Sequence, residues 1–171
     1  MNIRLQKILN IRGVKIVLEI ALILLIYTIA KTWMQRSMIE GTPPAIQTQL
    51  LSGQPFDLYA LKGKPVLLHF WASWCGICKL EQDSIESISK QHTVISIAMK
   101  SGSGAEIQQY MTKHHLSFPV VVDAEGQIAN RYGVRAVPAS FIIDAQGKIA
   151  FKETGYTSNW GLRIRLWLAG R

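Results

Sequence analysis

The chain's two cysteines, Cys75 and Cys78, stand between two segments of different periodicity. Before them, Val66–Trp71 is a short run with apolar residues on both faces, which is typical of a central strand in a sheet. After them, charged and apolar residues alternate at a spacing closer to a helix than to a strand. The apolar positions of this predicted helix are Leu80, Ile85 and Ile88. A strand that leads through Cys-x-x-Cys into a helix restricts the chain to folds of mixed α/β class.

The pattern around this unit predicts further strands and helices. Two short apolar segments before it, joined by Ser-Gly-Gln-Pro, predict a small β-hairpin, and a capping box at Ser103–Glu106 predicts a helix start. The predicted strands cover residues 45–51, 56–60, 66–71, 93–99, 118–122, 139–144 and 148–154. The predicted later helices cover residues 103–115, 127–132 and 158–168. Helices alternating with strands, with a closing hairpin, predict one mixed sheet flanked by helices.

Residues 16–34 form an apolar stretch with Glu19 as its one acidic residue. Its length is close to the roughly 20 residues that a helix needs to cross a bilayer. Lys15 and Lys31 lie near its ends, where long basic side chains reach lipid headgroups, and Trp33 suits the second interface. The stretch therefore predicts one transmembrane helix. The predicted organisation is a cytoplasmic segment 1–15, a transmembrane anchor 16–34, a linker 35–44 and a globular domain 45–171.

Basic residues before this stretch outnumber those just after it, which predicts a cytoplasmic N-terminus. They are Arg4, Lys7, Arg12 and Lys15. A cleaved signal peptide is one alternative, although residues 28–30 make a poor small-x-small cleavage site. A buried core helix is another, although no polar face recurs at helical spacing over residues 20–26. Gly41, Pro43 and Pro44 end the helix and predict a tether before the domain.

The net charge of +8 belongs mainly to the N-terminal segment. Residues 1–36 carry six basic side chains and one acidic side chain, a net charge of +5. The other 135 residues carry 13 basic and 10 acidic side chains, a net charge of +3, without a basic stripe. Nucleic-acid binding is not expected, because its electrostatic footprint is missing from the body of the chain.

Three chemistries compete for the Cys-Gly-Ile-Cys segment. A structural disulfide stabilises a chain by closing a long loop, and this one closes almost none. A tetrahedral zinc or copper site needs four ligands, and the histidines of the chain lack the usual ligand spacing. They are His69, His92, His114 and His115. A redox pair fits best, because Cys75 lies at a predicted helix N-terminus that favours the attacking thiolate, and Cys78 lies one turn further on to resolve a mixed disulfide.

The segment Phe-Trp-Ala-Ser-Trp-Cys-Gly-Ile-Cys, residues 70–78, resembles the active-site motif of the thioredoxin superfamily. The resemblance extends to Ala-Val-Pro-Ala-Ser-Phe at residues 136–141 and covers roughly residues 45–171. The anchor and the insertion at residues 101–122 are similar to membrane-tethered, periplasm-facing members of the TlpA/ResA type and to ScsD. The resemblance implies a thioredoxin fold, with a mixed central sheet flanked by helices, an N-terminal β-hairpin extension and one N-terminal transmembrane helix.

The same resemblance implies roles for residues around the cysteines. Pro138 would be a cis-proline, with Val137 offering its backbone to an extended substrate chain; an ordinary trans-proline at a strand start is the alternative. Trp74 would cover the thiolate, or else be an unrelated core aromatic. Glu81 would assist proton transfer to Cys78, or else be a solvated glutamate on the helix face.

Three positions depart from the thioredoxin pattern. His69 stands where a buried acid is common, and it would relay protons beneath Cys78, favour the thiolate as a cation, or be a hydrogen-bonded core histidine. The dipeptide between the cysteines is Gly76-Ile77 rather than Gly-Pro, and Asp83 replaces a common helix proline. Because that dipeptide helps to set the reduction potential, the direction of electron flow stays open at this point.

We therefore expect a membrane-anchored thiol–disulfide oxidoreductase of the bacterial inner membrane, acting in the periplasm and more as a reductase than as an oxidase. Its expected partners are protein dithiol or disulfide substrates and a membrane electron carrier, DsbD-like for a reductase or DsbB-like for an oxidase. No cofactor and no metal is expected. One alternative is a tethered copper-binding module that uses the same thiols. Another is a peroxiredoxin-like peroxidase, whose reactive cysteine usually follows a Thr-x-x motif.

Overall fold

The computed structural model describes the backbone of residues 3–171 and the side chains of residues 13–171. The chain divides into two compact units, one up to Arg36 and the other from Ser37 to Arg171. The side chains of Arg4, Lys7 and Arg12, on which the predicted cytoplasmic N-terminus largely rests, lie outside the described residues.

The first unit is helix α1, Ile3–Gln35. Its segment Gly13–Gln35, with a mean hydropathy of 2.2, is long and apolar enough to cross a membrane. The predicted anchor, residues 16–34, falls inside this segment. None of its apolar stretch is buried, which contradicts the alternative of a buried core helix. A signal peptide meets the same criteria of length and composition, so these criteria do not distinguish an anchor from a cleaved signal peptide.

The second unit contains two sheets and four helices within the described residues. A two-stranded hairpin comes first, and a turn of 3-10 helix at Leu58–Leu61 follows it. The strands are β1 Gln47–Gln49, β2 Pro55–Asp57, β3 Val66–Trp71, β4 Thr93–Met99, β5 Val120–Asp123, β6 Ala139–Ile143 and β7 Ile149–Thr154. The helices are α2 Gly76–Ser89, α3 Gly104–Lys113, α4 Gln127–Arg131 and α5 Asn159–Ala169. Each strand and helix predicted for residues 45–171 has a counterpart, with different bounds at several ends. The second predicted strand, residues 56–60, is wrong beyond Asp57, because residues 58–60 form 3-10 helix.

The main sheet has the strand order β5-β4-β3-β6-β7. Strand β3 is central, with β4 parallel on one side and β6 antiparallel on the other. All six residues of β3 are buried, which confirms the prediction of a central strand. Its last residue, Trp71, therefore lies at the centre of the sheet, at the end where the parallel strands β3 and β4 finish, and the cysteines follow there.

The core lies in two layers, one on each face of the sheet. Helices α2, α3 and α5 pack on one face through residues such as Ile85, Ile107 and Leu162. Helix α4 and the chain before β3 pack on the other face through residues such as Ile128 and Ile46. This mixed sheet with helices on both faces is the thioredoxin fold that the motif predicts.

The linker predicted over residues 35–44 is wrong for most of its length, because the chain packs on the domain from Ser37 onward. The Ser37 hydroxyl donates to the Gly133 carbonyl oxygen at 2.8 Å, and Met38 is buried. Gly41 forms a β-bridge with Ile149 at the sheet edge. Glycine and proline in this stretch indicate that the helix ends, but they do not distinguish a free tether from an extended chain held by tertiary contacts.

Candidate active site

Cys75 is the N-cap residue of helix α2, immediately beyond the turn that follows β3. Its backbone N–H donates to the Ala72 carbonyl oxygen at 3.1 Å, and its Sγ accepts from the Cys78 N–H at 3.1 Å. A helix N-terminus gathers unpaired N–H donors and the positive end of the helix dipole. After reduction, this position therefore stabilises a thiolate on Cys75, which is the nucleophilic form of cysteine.

Cys75 and Cys78 are joined by a disulfide, with their Cα atoms 5.3 Å apart. A bond between residues three positions apart closes too short a loop to stabilise the fold appreciably. Both cysteines are buried, and Cys78 lies about one turn further along helix α2 than Cys75. The pair is therefore placed for chemistry rather than for structural cross-linking.

The loop before β6 lies against the disulfide. The Val137 carbonyl oxygen is 3.5 Å from Cys75 Sγ, and the Val137–Pro138 peptide bond is cis, so the alternative of a trans-proline is wrong. The Pro138 carbonyl oxygen accepts from the Gly155 N–H at 2.8 Å, which ties this loop to the turn before α5. The resemblance implies that residues 137 and 138 lie beside the cysteines, and the fold brings Val137 to Cys75 across 62 positions of sequence.

Trp74 lies on the surface beside the disulfide, with 63% of the residue exposed. Its indole Nε1–H donates to the Lys100 carbonyl oxygen at 2.8 Å. The alternative of an unrelated core aromatic is therefore wrong. Lys100 has a positive φ of 46°, which turns its backbone at the end of β4.

Gly76 and Ile77, the residues between the cysteines, are both exposed in the first turn of α2. A Cβ at Gly76 would meet nothing within 4 Å, so packing does not require glycine at this position. Ile77 is 49% exposed and adds an apolar side chain to the surface beside Cys75. These two residues border the disulfide without closing it off.

Glu81 is buried, with 1% of the residue exposed, so the alternative of a solvated glutamate on the helix face is wrong. Its Oε1 accepts from the Thr157 N–H at 2.7 Å, while Oε2 has no hydrogen-bond partner among the described residues. Burial raises the pKa of Glu81 to about 7, against an opposing effect of the Thr157 hydrogen bond. This carboxyl therefore changes its protonation near neutral pH, three residues beyond Cys78.

The predicted apolar face of α2 needs a related correction at Leu80, which is 73% exposed. The buried residues of α2 are Cys78, Glu81, Ile85 and Ile88. Their spacing of three and four residues is that of one helical face, and Leu80 lies outside it. Hydrophobicity alone placed Leu80 inside and Glu81 outside; the periodicity of the face places them the other way round.

His69 is buried in β3 and lies opposite Ser140 of β6. His69 Nδ1 and the Ser140 hydroxyl are 3.0 Å apart and share a hydrogen bond. Burial lowers the pKa of His69 to about 3, so the ring is neutral at physiological pH. The alternative of a charged imidazole that favours the thiolate is therefore wrong, and the observed contacts are those of a hydrogen-bonded core histidine.

Two residues at the site went unrecognised in the sequence. Ser101 Oγ accepts from the Ser73 N–H at 3.0 Å and donates to the Met99 carbonyl oxygen at 2.9 Å, so it holds the backbone next to Trp74. Thr157 supplies the N–H that binds Glu81. Neither residue belongs to a motif, and both reach the site only through contacts between segments that are distant in sequence.

A metal site at the cysteines would need further ligands close to the two thiols. Within the described part of the chain, no three His, Cys, Asp or Glu side chains are grouped so that they could hold a metal ion.

Residues 40–152 match the profile of the AhpC/TSA family. This match covers more than half of the chain. The chain belongs to the AhpC/TSA family.

The names of similar proteins are consistent with redox chemistry at the Cys75–Cys78 pair. A thioredoxin-like protein of Haemophilus influenzae is 33% identical over 154 residues, which cover 89% of this chain and 92% of the relative. The thiol–disulfide oxidoreductase ResA of Geobacillus thermodenitrificans is 31% identical over 121 residues, 68% of this chain and 70% of the relative. The solved structure of the exposed lipoprotein thioredoxin Etrx1 of Streptococcus pneumoniae is similar, with a TM-score of 0.65 and 27% identity. It covers 73% of this chain and 99% of its own.

Together with the Cys75–Cys78 pair, these similarities identify this AhpC/TSA member as a ResA-like thiol–disulfide oxidoreductase of the thioredoxin superfamily. Membership of this family implies protein thiols as its substrates. The predicted fold and enzyme class are therefore confirmed.

Proposed function

We propose that this protein is a membrane-anchored reductase of protein disulfides, with its N-terminus in the cytoplasm and its domain in the periplasm of a bacterial cell. The proposal rests on one observation above all: Cys75 caps a helix whose N-terminal N–H groups stabilise its thiolate. This observation supports the exchange chemistry and not its direction, because a stabilised thiolate stabilises the reduced pair and makes that pair a stronger oxidant. The measured reduction potential therefore decides between a reductase and an oxidase.

In the proposed reaction, the Cys75 thiolate attacks one sulfur of a substrate disulfide and releases the other sulfur as a thiol. A mixed disulfide then joins Cys75 to the substrate. Cys78 loses its proton and attacks Cys75 Sγ, which releases the substrate sulfur and forms the Cys75–Cys78 disulfide. Two electrons have passed from the enzyme to the substrate, and the enzyme has become oxidised.

Glu81 is proposed to accept the proton of the Cys78 thiol. The carboxyl lies on the same buried face of α2 as Cys78, and its pKa of about 7 matches a base that must work near neutral pH. Its second carboxylate oxygen, Oε2, has no hydrogen-bond partner among the described residues and can therefore take up the proton. Trp74 and Ile77 would contact the substrate beside Cys75, and the backbone of the half-buried Val137 would pair with an extended substrate segment.

The electron supply follows from the direction of the reaction. In an oxidising compartment a reductase returns to its dithiol form only if a membrane carrier donates electrons, so a DsbD-like partner is proposed. An oxidase would instead need a DsbB-like acceptor. The helix α1 and the segment Gly13–Gln35 support attachment at the membrane, where such a carrier works.

The reduction potential of the Cys75–Cys78 pair tests the direction. The full chain in detergent micelles is equilibrated against glutathione buffers, and the thiols are trapped and counted. A value near or below thioredoxin's, about −270 mV, supports the reductase; a value nearer DsbA's, about −120 mV, reverses the assignment to an oxidase. A Cys78→Ser variant, which cannot form the pair, is the control.

Protease protection tests the topology. Protease added to cells whose outer membrane is opened should digest the domain and leave the N-terminal segment, and a domain that stays protected until the inner membrane is lysed would overturn the proposed orientation. Release of the domain as a soluble protein would instead support a cleaved signal peptide.

A further inference from the structure

Four segments of the chain border the disulfide. Residues 72–80 contain the disulfide. Residues 99–103 hold the two residues before it in place, because Ser101 and Lys100 accept hydrogen bonds from Ser73 and Trp74. Residues 134–138 place Val137 3.5 Å from Cys75 Sγ. Residues 154–158 contact the Pro138 loop and helix α2, because the Gly155 N–H donates to Pro138 and the Thr157 N–H donates to Glu81.

The charges of these four segments are of one sign. They carry three basic side chains, Lys79, Lys100 and Arg135, and no acidic one. All three residues are exposed, and none forms a salt bridge with a described carboxylate. The domain around them is nearly balanced, so the positive sign belongs to the rim of the site rather than to the whole surface.

Each cation is tied to the disulfide through the backbone. The Lys79 N–H donates to the Cys75 carbonyl oxygen at 3.3 Å, in the first turn of α2. Arg135 lies two residues before Val137, and the Lys100 carbonyl oxygen binds Trp74. The three basic residues therefore belong to three different segments that border the disulfide, and the Lys100 side chain lies against Gly126.

Three acidic residues close to these segments are engaged elsewhere. Glu81 points inward and is buried, while Glu106 closes the capping box with Ser103. Glu153 pairs with Arg165 at 2.7 Å. Two further carboxylates, Asp83 one turn after Lys79 and Glu125 beside Gly126, are exposed. No salt bridge joins a described carboxylate to Lys79, Lys100 or Arg135.

We propose that the Cys75–Cys78 site selects cysteine-containing segments that carry acidic residues next to the reacting cysteine. The inference rests on the proposed function and adds the chemical class of the substrate to it. Complementary charge around a reactive site raises the rate of encounter with one class of partner and lowers it with the opposite class. The exposed apolar residues Trp74, Ile77 and Leu80 then contact the segment once its charges have brought it to the site.

Three peptides of one length test the proposal. Each has a single cysteine, flanked by two glutamates on each side, by two serines, or by two lysines, and activated as a 2-thiopyridyl disulfide. The reduced enzyme transfers two electrons: Cys75 and Cys78 form their disulfide, and the peptide thiol and 2-thiopyridone are released. The released 2-thiopyridone absorbs light and reports the rate, which is divided by the rate of dithiothreitol with the same peptide.

The enzyme is the full chain in neutral detergent micelles at low ionic strength. We expect the acidic peptide to react about tenfold faster than the basic one, with the serine peptide between them. At about 0.5 M salt the ratio should fall towards one, because charges at the surface are then screened.

Two triple variants with equal changes in net charge separate the rim from the rest of the surface. The rim variant is K79Q/K100Q/R135Q, and we expect its acidic-to-basic ratio to be near one. The control variant is K64Q/K113Q/K148Q. These lysines are exposed and lie before β3, at the end of α3 and before β7, at the other end of the sheet from the disulfide, so the wild-type ratio should persist.

An unchanged ratio in the rim variant, or a wild-type ratio near one, overturns the inference and leaves the proposed reductase intact. No reaction with any peptide, under conditions in which dithiothreitol reacts with all three, overturns the proposed function itself. The two failures are therefore distinguishable.

Discussion

Glu81 Oε1 accepts a hydrogen bond from the Thr157 N–H at 2.7 Å, which joins helix α2 to the turn before helix α5. The bond holds a buried carboxyl on the same helical face as Cys78. The second carboxyl oxygen has no partner among the described residues. An acid–base group is thus fixed in place beside a redox pair, with one oxygen left over for a proton.

Replacing Glu81 with glutamine should remove this acid–base group while keeping the shape of the side chain. Because burial raises the pKa of Glu81 to about 7, the wild-type exchange rate should rise through neutral pH as the carboxyl becomes a base. In E81Q we expect the rate at pH 7 to fall by about a hundredfold, with the step near pH 7 lost from the profile.

Stopped-flow tryptophan fluorescence from pH 5 to pH 9 measures that profile. The matched control is Asp83→Asn, an exposed carboxylate on the same helix, which should keep both the rate and the profile. An E81Q profile that still steps near pH 7 would remove Glu81 from the reaction.

Glu81 should also make stability depend on pH. The pKa of this carboxyl is raised in the folded protein above its ordinary value of 4.5, so the folded state holds the proton more tightly. Its contribution is complete below about pH 4.5 and is lost as the pH rises through about 7, by up to about 3 kcal/mol.

Guanidinium unfolding of the oxidised chain and of E81Q, compared at pH 5 and pH 7.5, measures the loss. The wild type should lose stability relative to the variant at the higher pH. Equal changes in both proteins would contradict the raised pKa.

His69 should stay neutral in the folded protein far below the pH at which free imidazole is protonated. Burial lowers the pKa of His69 to about 3 from an ordinary value of 6.5, so the unfolded chain takes up a proton that the folded chain refuses. Stability should therefore fall as the pH drops below 6.5, with a slope of about 1.4 kcal/mol per pH unit from this residue.

Nuclear magnetic resonance of the histidine rings, assigned with a His69→Gln variant, checks the protonation directly. The His69 signals should not move between pH 8 and pH 5. A midpoint near 6.5 would show that the ring is not shielded from water as the structure places it.

Ser101→Ala should loosen the backbone that presents Trp74. The substitution leaves the Ser73 N–H and the Met99 carbonyl oxygen without their hydroxyl partner, at a cost of about 1–3 kcal/mol. The exchange rate should also fall several-fold, because Trp74 follows Ser73 directly. Urea unfolding and the peptide assay measure the two effects, and Ser52→Ala, at an exposed position, is the control.

Ser101→Thr keeps a hydroxyl and provides a second comparison. It should restore much of the rate, whereas equal loss in the alanine and threonine variants would assign the effect to packing rather than to the hydrogen bonds.

Gly133→Ala should destabilise the domain strongly, because a Cβ at this position would collide with the Ser37 carbonyl oxygen. Gly133 also has a positive φ of 69°, which disfavours alanine. We expect a loss of about 3 kcal/mol or more. Gly53→Ala is the control: its φ is 83°, but its Cβ would meet nothing within 4 Å, so only about 1 kcal/mol should be lost.

Thermal unfolding followed by circular dichroism compares the two variants. Equal losses would mean that residue 37 does not pack on Gly133, and the domain would then begin further along the chain.

Local patterns in the sequence were sufficient for the elements of the fold. The capping box at Ser103 and the apolar run of β3 are read from neighbouring residues, and both are present in the structure. The cysteine spacing and the proline at 138 were likewise sufficient for the redox pair and its neighbour. These features depend on contacts within one element, or on a motif whose parts are recognisable separately.

The burial of Glu81, by contrast, was decided by the tertiary structure. A glutamate next to a leucine is compatible with either side chain facing inward, and the choice depends on Thr157, 76 positions away, whose N–H compensates the buried carboxyl. His69 depends in the same way on Ser140.

By itself, the sequence determined a strand, a Cys-x-x-Cys pair and a helix in one order, because backbone periodicity and capping act over a few residues. Contacts between distant segments determine which polar groups are buried around the pair, and they include the residues from 37 onward in the domain. The physical reason is that burial and hydrogen-bond satisfaction depend on partners that folding brings together from distant parts of the chain.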